Sequence, residues 1–451
     1  MNSQKLTLTL QSFDPGERKR FLEFLQSPYF NKRKDLVRLC EHLLSGQAAF
    51  GEAEKRTADQ RLLLSYLQKL ADRFLALEHW QQSPGAEDLA LVQAYRHKAL
   101  ERHFRDARQL AGRRLEANPL RNADHYRHAG VLIWEEARYH SHLRREDEQY
   151  LTRLSEKADL VWVLQKLRYL CLHAAYRTRF NTGGNLSLRT EVETVLERYP
   201  FAENPVVATW YSGLKMLEMP EAAEYFPQFK KGVLEHGHCF HQEELRDLHL
   251  FAINHCIRRV NAGQTDFFHD ILDIYKNGLE KGYLLENGVL SHFTYFNIAA
   301  AGLQTREYEW VEQFITQYRP NLERRYRDST YSFNLARLKF ARKEYNEVLT
   351  LLQHTNYHEP LMNMAAKTMA IKIYYSLDEY EVLTAHLDAF VKYIRRKPGL
   401  GYHRELYLQL ARYTQKLVAL NWNDKRAVEA LRRKIEAEPV LTEREWLLEQ
   451  F

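Results

Sequence analysis

The sequence predicts an all-α protein, an α-solenoid of stacked helix pairs with an N-terminal helical piece, and three observations carry that expectation. The segments "FNIAAAGLQTREYEWVEQFI" and "FNLARLKFARKEYNEVLTLL" align without a gap, placing Tyr308 on Tyr345 and Val311 on Val348, a 37-residue offset. Gly 18 and Pro 12 fall below the average usage of roughly 7% and 5%, too few for the many tight turns of an all-β fold. At 451 residues the chain also exceeds what one hydrophobic core usually serves, so it forms several domains or an elongated array.

Taken in order, Asp14-Pro15-Gly16-Glu17 reads as a helix start. Asp14 can accept from the orphan N–H groups, Pro15 suits the first helical position, and Glu17 sits at the capping-box spacing. Phe21, Leu22, Phe24 and Leu25 then form an apolar stripe. Pro28 disfavours helical geometry at Ser27, so the chain should turn there, with Tyr29 and Phe30 plugging the corner. Asn31 is the expected cap of the next helix, whose apolar face includes Leu36, Leu39, Leu43 and Cys40. Lys32, Arg33 and Lys34 would then occupy its first turn, where the macrodipole disfavours cations. A bound anion would offset that cost, which makes these three a candidate anion site; three side chains simply reaching into water is the other reading. A third helical piece, "ADQRLLLSYLQKLADRFLALEHW", runs to a boundary at Ser83-Pro84-Gly85, so 1–84 is expected to be an N-terminal helical region and 85–451 the repeat body. Asn181-Thr182-Gly183-Gly184-Asn185 is a second weak point.

The repeats are clearest over 291–395. A third copy, "AIKIYYSLDEYEVLTAHLDAF", puts Tyr380 and Leu383 at the same marks as Tyr345 and Val348. Each copy is a helix, a short polar turn and a second helix. "YRHKALERHFRDARQLAGRRL", with Phe104 and Ala107, and "FAINHCIRRVNAGQTDFFHDILDIY" read as earlier, looser copies; between Trp134 and Pro220 no register is visible. A period near 34 with small residues in the first helix and an aromatic after the turn resembles the tetratricopeptide repeat. That resemblance implies helix pairs stacked into a right-handed superhelix with a concave groove, since one pair cannot bury both its faces alone. The physical expectation is that Ala299 and Ala336 let two helices approach while the tyrosine fills the corner. At the end, Thr442-Glu443-Arg444-Glu445 has capping-box spacing, and a capping helix over 442–451 with Trp446 and Leu447 is expected to seal the last pair.

Composition narrows the function. No stretch offers the roughly 18 uninterrupted apolar residues a bilayer crossing needs, since "LVWVLQKLRYLCLHAAY" contains Lys166 and Arg168. The N-terminus shows no long apolar leader region, and Cys40, Cys171, Cys239 and Cys256 form no C-x-x-C, so a cytoplasmic setting is expected. The 65 basic and 59 acidic residues leave a net charge of +6, interspersed rather than concentrated. Phosphate cradle, dinucleotide turn, zinc-protease helix and nucleophile elbow motifs are all missing, so no catalytic, cofactor-binding or metal-binding residue is assigned. "HGHCFHQEE" crowds His236, His238, Cys239 and His241 together, yet its spacing matches no zinc pattern, and turn and surface histidines explain it. The adjacent pairs Glu135-Glu136 and Glu243-Glu244 diverge by about 100° on a helix and read as solvated unless the fold brings partners to them.

"DLVWVLQKLRYLCLHAAYRTRF" carries a core arc of Val163, Leu164, Leu167, Leu170, Cys171 and Ala174. Beside it Trp162, Lys166, Tyr169, His173, Tyr176 and Phe180 make an aromatic and basic stripe, with Arg168, Arg177 and Arg179 adding charge and no acid between Asp159 and Glu191. Such a stripe could stack bases and neutralise phosphates, dock an acidic peptide, or simply pack on a neighbouring helix. The candidate partner-binding residues are therefore Trp162, Lys166, Arg168, Tyr169, His173, Tyr176, Arg177 and Arg179.

Three segments, "FDPGERKRFLEFLQSPYFNKRKDLVRL", "YYSLDEYEVLTAHLDAFVKYIRRK" and "TEREWLLEQ", resemble a group of uncharacterised all-helical proteins of the Bacteroidota. The resemblance implies a shared fold and an intracellular bacterial setting, and no reaction. The expected function is a non-enzymatic scaffold or adaptor that binds a protein or peptide on a concave face. The alternatives are a nucleic-acid binder using the stripe and Arg395-Arg396-Lys397, and an enzyme with an unfamiliar site.

Overall fold

Asp14 starts its helix as its spacing requires. In the computed structural model, which describes residues 2–45, 57–142, 148–180, 183–184, 186–354, 360–397 and 400–451, Glu17 N donates to Asp14 Oδ1 (2.8 Å) and Asp14 N to Glu17 Oε2 (2.9 Å). Pro15 opens α2 (Pro15–Gln26), which follows α1 (Asn2–Ser12). After Pro28 the corner is plugged by Phe30 alone, stacked on Phe24 at 4.3 Å, while Tyr29 is 82% exposed, contrary to the expectation for both rings. Asn31 does not cap the next helix either. It is buried and pins the corner, donating to the Leu25 and Arg33 carbonyls (2.8 and 2.9 Å) and accepting from Arg33 N (2.9 Å). Arg33 is the N-cap residue of α3 (Lys34–Leu44), because the Asn31 turn consumes two residues before helical geometry begins.

Leu36, Leu39 and Cys40 face inward from α3, and α4 (Ala58–Gln82), capped by a Thr57–Gln60 box, brings Leu64, Leu67, Ala71 and Phe74 to the same core. Phe13, Phe21 and Phe74 meet there at 5.1 to 5.6 Å. Four helices thus close around one aromatic centre, with α4 packed on α1, α2 and α3.

Further along come α5 (Ala86–His97), α6 (Glu101–Ala117) and α7 (Ala123–His142), which bury Val92, Phe104, Ala111 and Leu132 together. Here the adjacent Glu135 and Glu136 are not solvated. Their 100° divergence sends Glu135 to Arg96 on α5 and Glu136 to Arg108 on α6. By contacts the chain falls into two units, Met1–Leu170 with Leu186–Val207, and Cys171–Asn185 with Ala208–Phe451. α8 (Gln149–Phe180) and α10 (Pro205–Glu218) each contribute to both, and α9 (Arg189–Arg198) lies in the first.

The second unit contains α11 (Tyr225–His236), α12 (Gln242–Asn261), α13 (Phe267–Glu280) and a two-residue hairpin pairing Leu285–Glu286 with Val289–Leu290. The three sequence copies then follow: α14 (His292–Gln304) with α15 (Tyr308–Gln317), α16 (Arg327–Ala341) with α17 (Tyr345–His354), and α18 (Pro360–Ser376) with α19 (Tyr380–Arg396). The same turn joins each pair. Arg306, Lys343 and Asp378 adopt left-handed backbone at φ 60°, 61° and 58°, and the next amide reaches back five residues: Glu307 N to Gly302 O, Glu344 N to Lys339 O and Glu379 N to Tyr374 O, each 2.9 Å. This is the Schellman closure, which satisfies the last carbonyls of the first helix. Tyr308, Tyr345 and Tyr380 each open the second helix, so the aligned tyrosines share one backbone position.

The tyrosines fill the corner only in part: Tyr345 packs beside Phe340 against the Val348 core, and Tyr380 meets Tyr375 edge-on at 5.9 Å. Tyr308 and Tyr345 are half-buried and Tyr380 is 40% exposed, whereas Val311, Val348 and Leu383, three residues on, are each 0% exposed. In these copies the N1 tyrosine lies at the edge of the crossing, and the residue about one turn later on the same face points into it. Ala299 and Ala336 are fully buried as expected, and a methyl built on Gly302 would run into Val311 Cγ2, so this crossing is tight. Each first helix packs on its own second helix and on the first helix of the next copy, α14 on α16 and α16 on α18. The earlier copies share the turn: Ala99 between α5 and α6 and Gly263 between α12 and α13 are both left-handed, and Phe104 occupies the buried position equivalent to Val311.

Beyond them lie α20 (His403–Val418), α21 (Lys425–Ala437) and a short α22 (Arg444–Leu448). The expected Thr442 capping box is absent. Glu443 precedes α22 in left-handed geometry without a side-chain cap, and its carboxylate is drawn to Lys372 of α18. Leu447 is nonetheless fully buried among Leu410, Leu417, Leu431 and Ile435, and Trp446 meets Tyr375 edge-on at 5.6 Å. α22 thus covers α18, α20 and α21 as a terminal cap would.

Candidate functional site

The α8 stripe divides by exposure. Its core arc is as expected: Val163, Leu164, Leu167, Leu170 and Cys171 are buried and Ala174 half-buried. Of the candidates, Trp162, Lys166, Arg168 and His173 are also half-buried, so part of the stripe serves packing. Tyr169 and Tyr176 are each 55% exposed, Phe180 is 51% exposed, and Arg177 is exposed. Tyr176 and Phe180 pair their rings at 4.5 Å. The Arg179 side chain and the residues 181, 182 and 185 of the second weak point lie outside the described residues.

At the start of α3, one of the three cations, Arg33, finds its anion within the chain. Arg33 forms a two-pronged pair with Asp35 (3.1 and 2.7 Å), and that hydrogen bonding holds the Asp35 carboxyl below its ordinary range. Asp35 sits in the first turn, where negative charge is favoured. Lys32 and Lys34 are exposed.

Within "HGHCFHQEE", His236 ends α11, Gly237–Cys239 form a 3-10 turn with Cys239 buried, and His241 caps α12 in a reciprocal box with Glu244. His241 holds the junction into α12 while His238 is exposed, and Glu244 accepts the His241 amide at 3.0 Å rather than facing solvent.

One site escaped the sequence reading. The turn after α10 and the helices α11, α12 and α13 line a pocket of about 520 Å³ that is open to solvent on one side. Three rings meet at its wall: Phe226 lies parallel to His255 at 4.9 Å, and Phe267 sits 5.5 Å from Phe226 and 6.0 Å from His255. The ions around it are already partnered. Lys230 Nζ lies 2.7 Å from both Asp270 and Asp273, while Arg259 pairs with Glu221, donates to Gln264 Oε1 at 2.8 Å and rests over Phe267. His255 is different. It is 3% exposed, its Nδ1 has no hydrogen-bond partner, and burial, aided by Arg258 and Arg259, lowers its pKa to about 4, so the ring is neutral. Its residues come from three helices, with no motif to mark them; the available signal was a lone histidine in the apolar run "FAINHCI".

Two cations in the copies also stand without a carboxylate. Arg337 on α16 is half-buried, its guanidinium donates to Asn334 Oδ1 at 3.3 Å, and burial lowers its pKa to about 10. Lys367 on α18 is likewise half-buried, with its pKa lowered by burial and its ammonium over the Tyr393 ring at 5.5 Å. Neither has an ion-pair partner among the described residues. No group of three metal-ligating side chains occurs among the described residues, and no helix there is long and apolar enough to cross a membrane. No family model matches the chain, and no curated protein or solved structure does.

Proposed function

We propose that the chain is a non-enzymatic helical-repeat scaffold of tetratricopeptide type, its helix pairs stacked into a right-handed solenoid whose concave face holds a protein or peptide partner in the cytoplasm. One observation carries the reading: the same left-handed turn at Arg306, Lys343 and Asp378, each followed five residues on by a fully buried aliphatic, recurs with the period of the sequence. Such pairs cannot bury both faces alone, so they are built to be stacked, and a stack leaves a continuous surface for a partner. Arg337 and Lys367 indicate the partner's chemistry. A half-buried cation without an internal acid is costly unless something pairs with it, which favours a peptide bringing carboxylates.

The test is a display selection of peptides on the full chain, repeated with Arg337→Met and Lys367→Met. Enrichment of acidic peptides that is lost in the variants supports the reading; peptides indifferent to both variants, or no enrichment, overturn it. A second reading, binding of single-stranded nucleic acid, is favoured by the exposed Tyr176–Phe180 ring pair beside Arg177. It requires affinity that falls steeply with salt and weakens in Tyr176→Ala.

A further inference from the structure

The cavity between α11, α12 and α13 has features that a scaffold does not require. Its volume, about 520 Å³, falls in the range of small-molecule sites. Phe226, Phe267, Pro220 and Pro227 give it apolar walls, and every charged side chain at its edge that the geometry describes is spoken for: Lys230 by Asp270 and Asp273, Arg259 by Glu221, Lys231 by Glu235 at 3.9 Å. The exception to this pairing is the neutral His255.

We propose that this cavity binds an uncharged, planar aromatic molecule that offers one hydrogen-bond acceptor to His255. The polarity follows from the ring itself. A neutral imidazole carries one proton, and Nδ1 is sealed from water without any acceptor. A buried N–H without an acceptor is the rarer and costlier state, so the proton resides on Nε2, which is then the ring's donor. The absence of net charge follows from the ion pairs. An incoming carboxylate would have to detach Arg259 or Lys230 from its acid, settle for the solvent-exposed Lys231 at the rim, or sit unpaired beside Asp270, and an incoming ammonium would face the inner cations Lys230 and Arg259; each leaves a charge poorly compensated. A neutral ring displaces nothing. It rests on Phe226 and Phe267 in the offset or edge geometry aromatic pairs prefer and takes the one bond that is free.

The experiment titrates the full-length chain, 15N-labelled at histidine, with benzamide, benzoate and benzylamine, three probes of one shape and three charges. Benzamide is expected to saturate and to move one imidazole signal, the one missing from His255→Phe, and to bind at least about tenfold tighter than either charged probe. His255→Phe keeps the ring packing and removes a polar atom without a partner, so it is expected to melt no lower than the native chain and to lose about tenfold in benzamide affinity. If that variant does not fold, Ala222→Trp, which fills the cavity from its half-buried wall, is expected to abolish the titration. Equal or tighter binding of benzoate or benzylamine overturns the proposal, as does the absence of saturable benzamide binding or its persistence in the variants.

Discussion

The four helices at the N-terminus and the six helices of the three copies solve the same problem in different ways. In α1–α4 the core is closed: Phe74 comes from far along the chain to meet Phe13 and Phe21 at one centre, and α4 touches all three partners. In α14–α19 the core is handed on. Phe333, Val348 and Ile373 belong to one cluster, Ile371, Leu383 and Phe390 to the next, and the first helix of each copy serves two neighbours. A closed core binds its members into one cooperative unit, whereas a handed-on core makes stability a sum of local terms. The copies are also where the sequence repeats, because the same local neighbours ask the same residues of each pair.

The largest expected effect separates the two regions. Phe21→Ala should cost about 3–5 kcal/mol and Leu383→Ala about 2–5, both by emptying a filled site. Hydrogen exchange should show the first loss spread over α1–α4 and the second confined to α18–α20; equal spread would break the comparison. Acid should weaken the chain outside these two regions, at α7 and α12. Burial lowers the pKa of His125 in the first unit and of His255 in the second to about 4. Each is depressed below its unfolded value near 6.5, so the unfolded chain takes the proton first. Stability is therefore full above about pH 6.5 and falls toward pH 4, by about 3 kcal/mol per histidine at the limit. Denaturant midpoints across that window should flatten in His125→Gln and His255→Phe.

Gly302→Ala comes next. With Val311 against it, the added methyl forces a shift in the α14–α15 crossing, at about 1–3 kcal/mol by thermal unfolding. Smallest are Arg306→Gly and Lys343→Gly, which relieve left-handed backbone and should each stabilise by up to about 1 kcal/mol. Asp378→Gly should gain less, since its carboxylate accepts the Tyr380 hydroxyl at 2.7 Å. Matching gains at 306 and 343 would sharpen the equivalence of the turns.

What was legible in the sequence was local. The Asp14 box, the inward face of α3 and the helix–turn–helix copies rest on residues within one or two turns of each other. Asn31 was a local misreading, settled by Leu25 and Arg33, and the others arose where a distant partner decides. Thr442 has the spacing of a cap, but Glu443 goes to Lys372, 71 residues away. Glu135 looks like a surface acid until Arg96 arrives from another helix. The repeated tyrosines mark the period but sit only at the edge of the crossing, and Val311, Val348 and Leu383 hold its centre, because an alignment shows which residues recur and not how deeply each is buried. The cavity was invisible for the same reason: Phe226, His255 and Phe267 meet only once three helices pack.

The most direct measurement removes one period. Excising 308–344 joins Glu307 to Tyr345 and should rebuild the same turn, with α14 leading into α17. The shortened chain is expected to remain monodisperse and fully helical by circular dichroism, with a urea m-value lower in proportion to the surface removed. A chain that is instead unfolded or aggregated would mean that the three pairs are not interchangeable units, contradicting the repeat on which the proposed function stands.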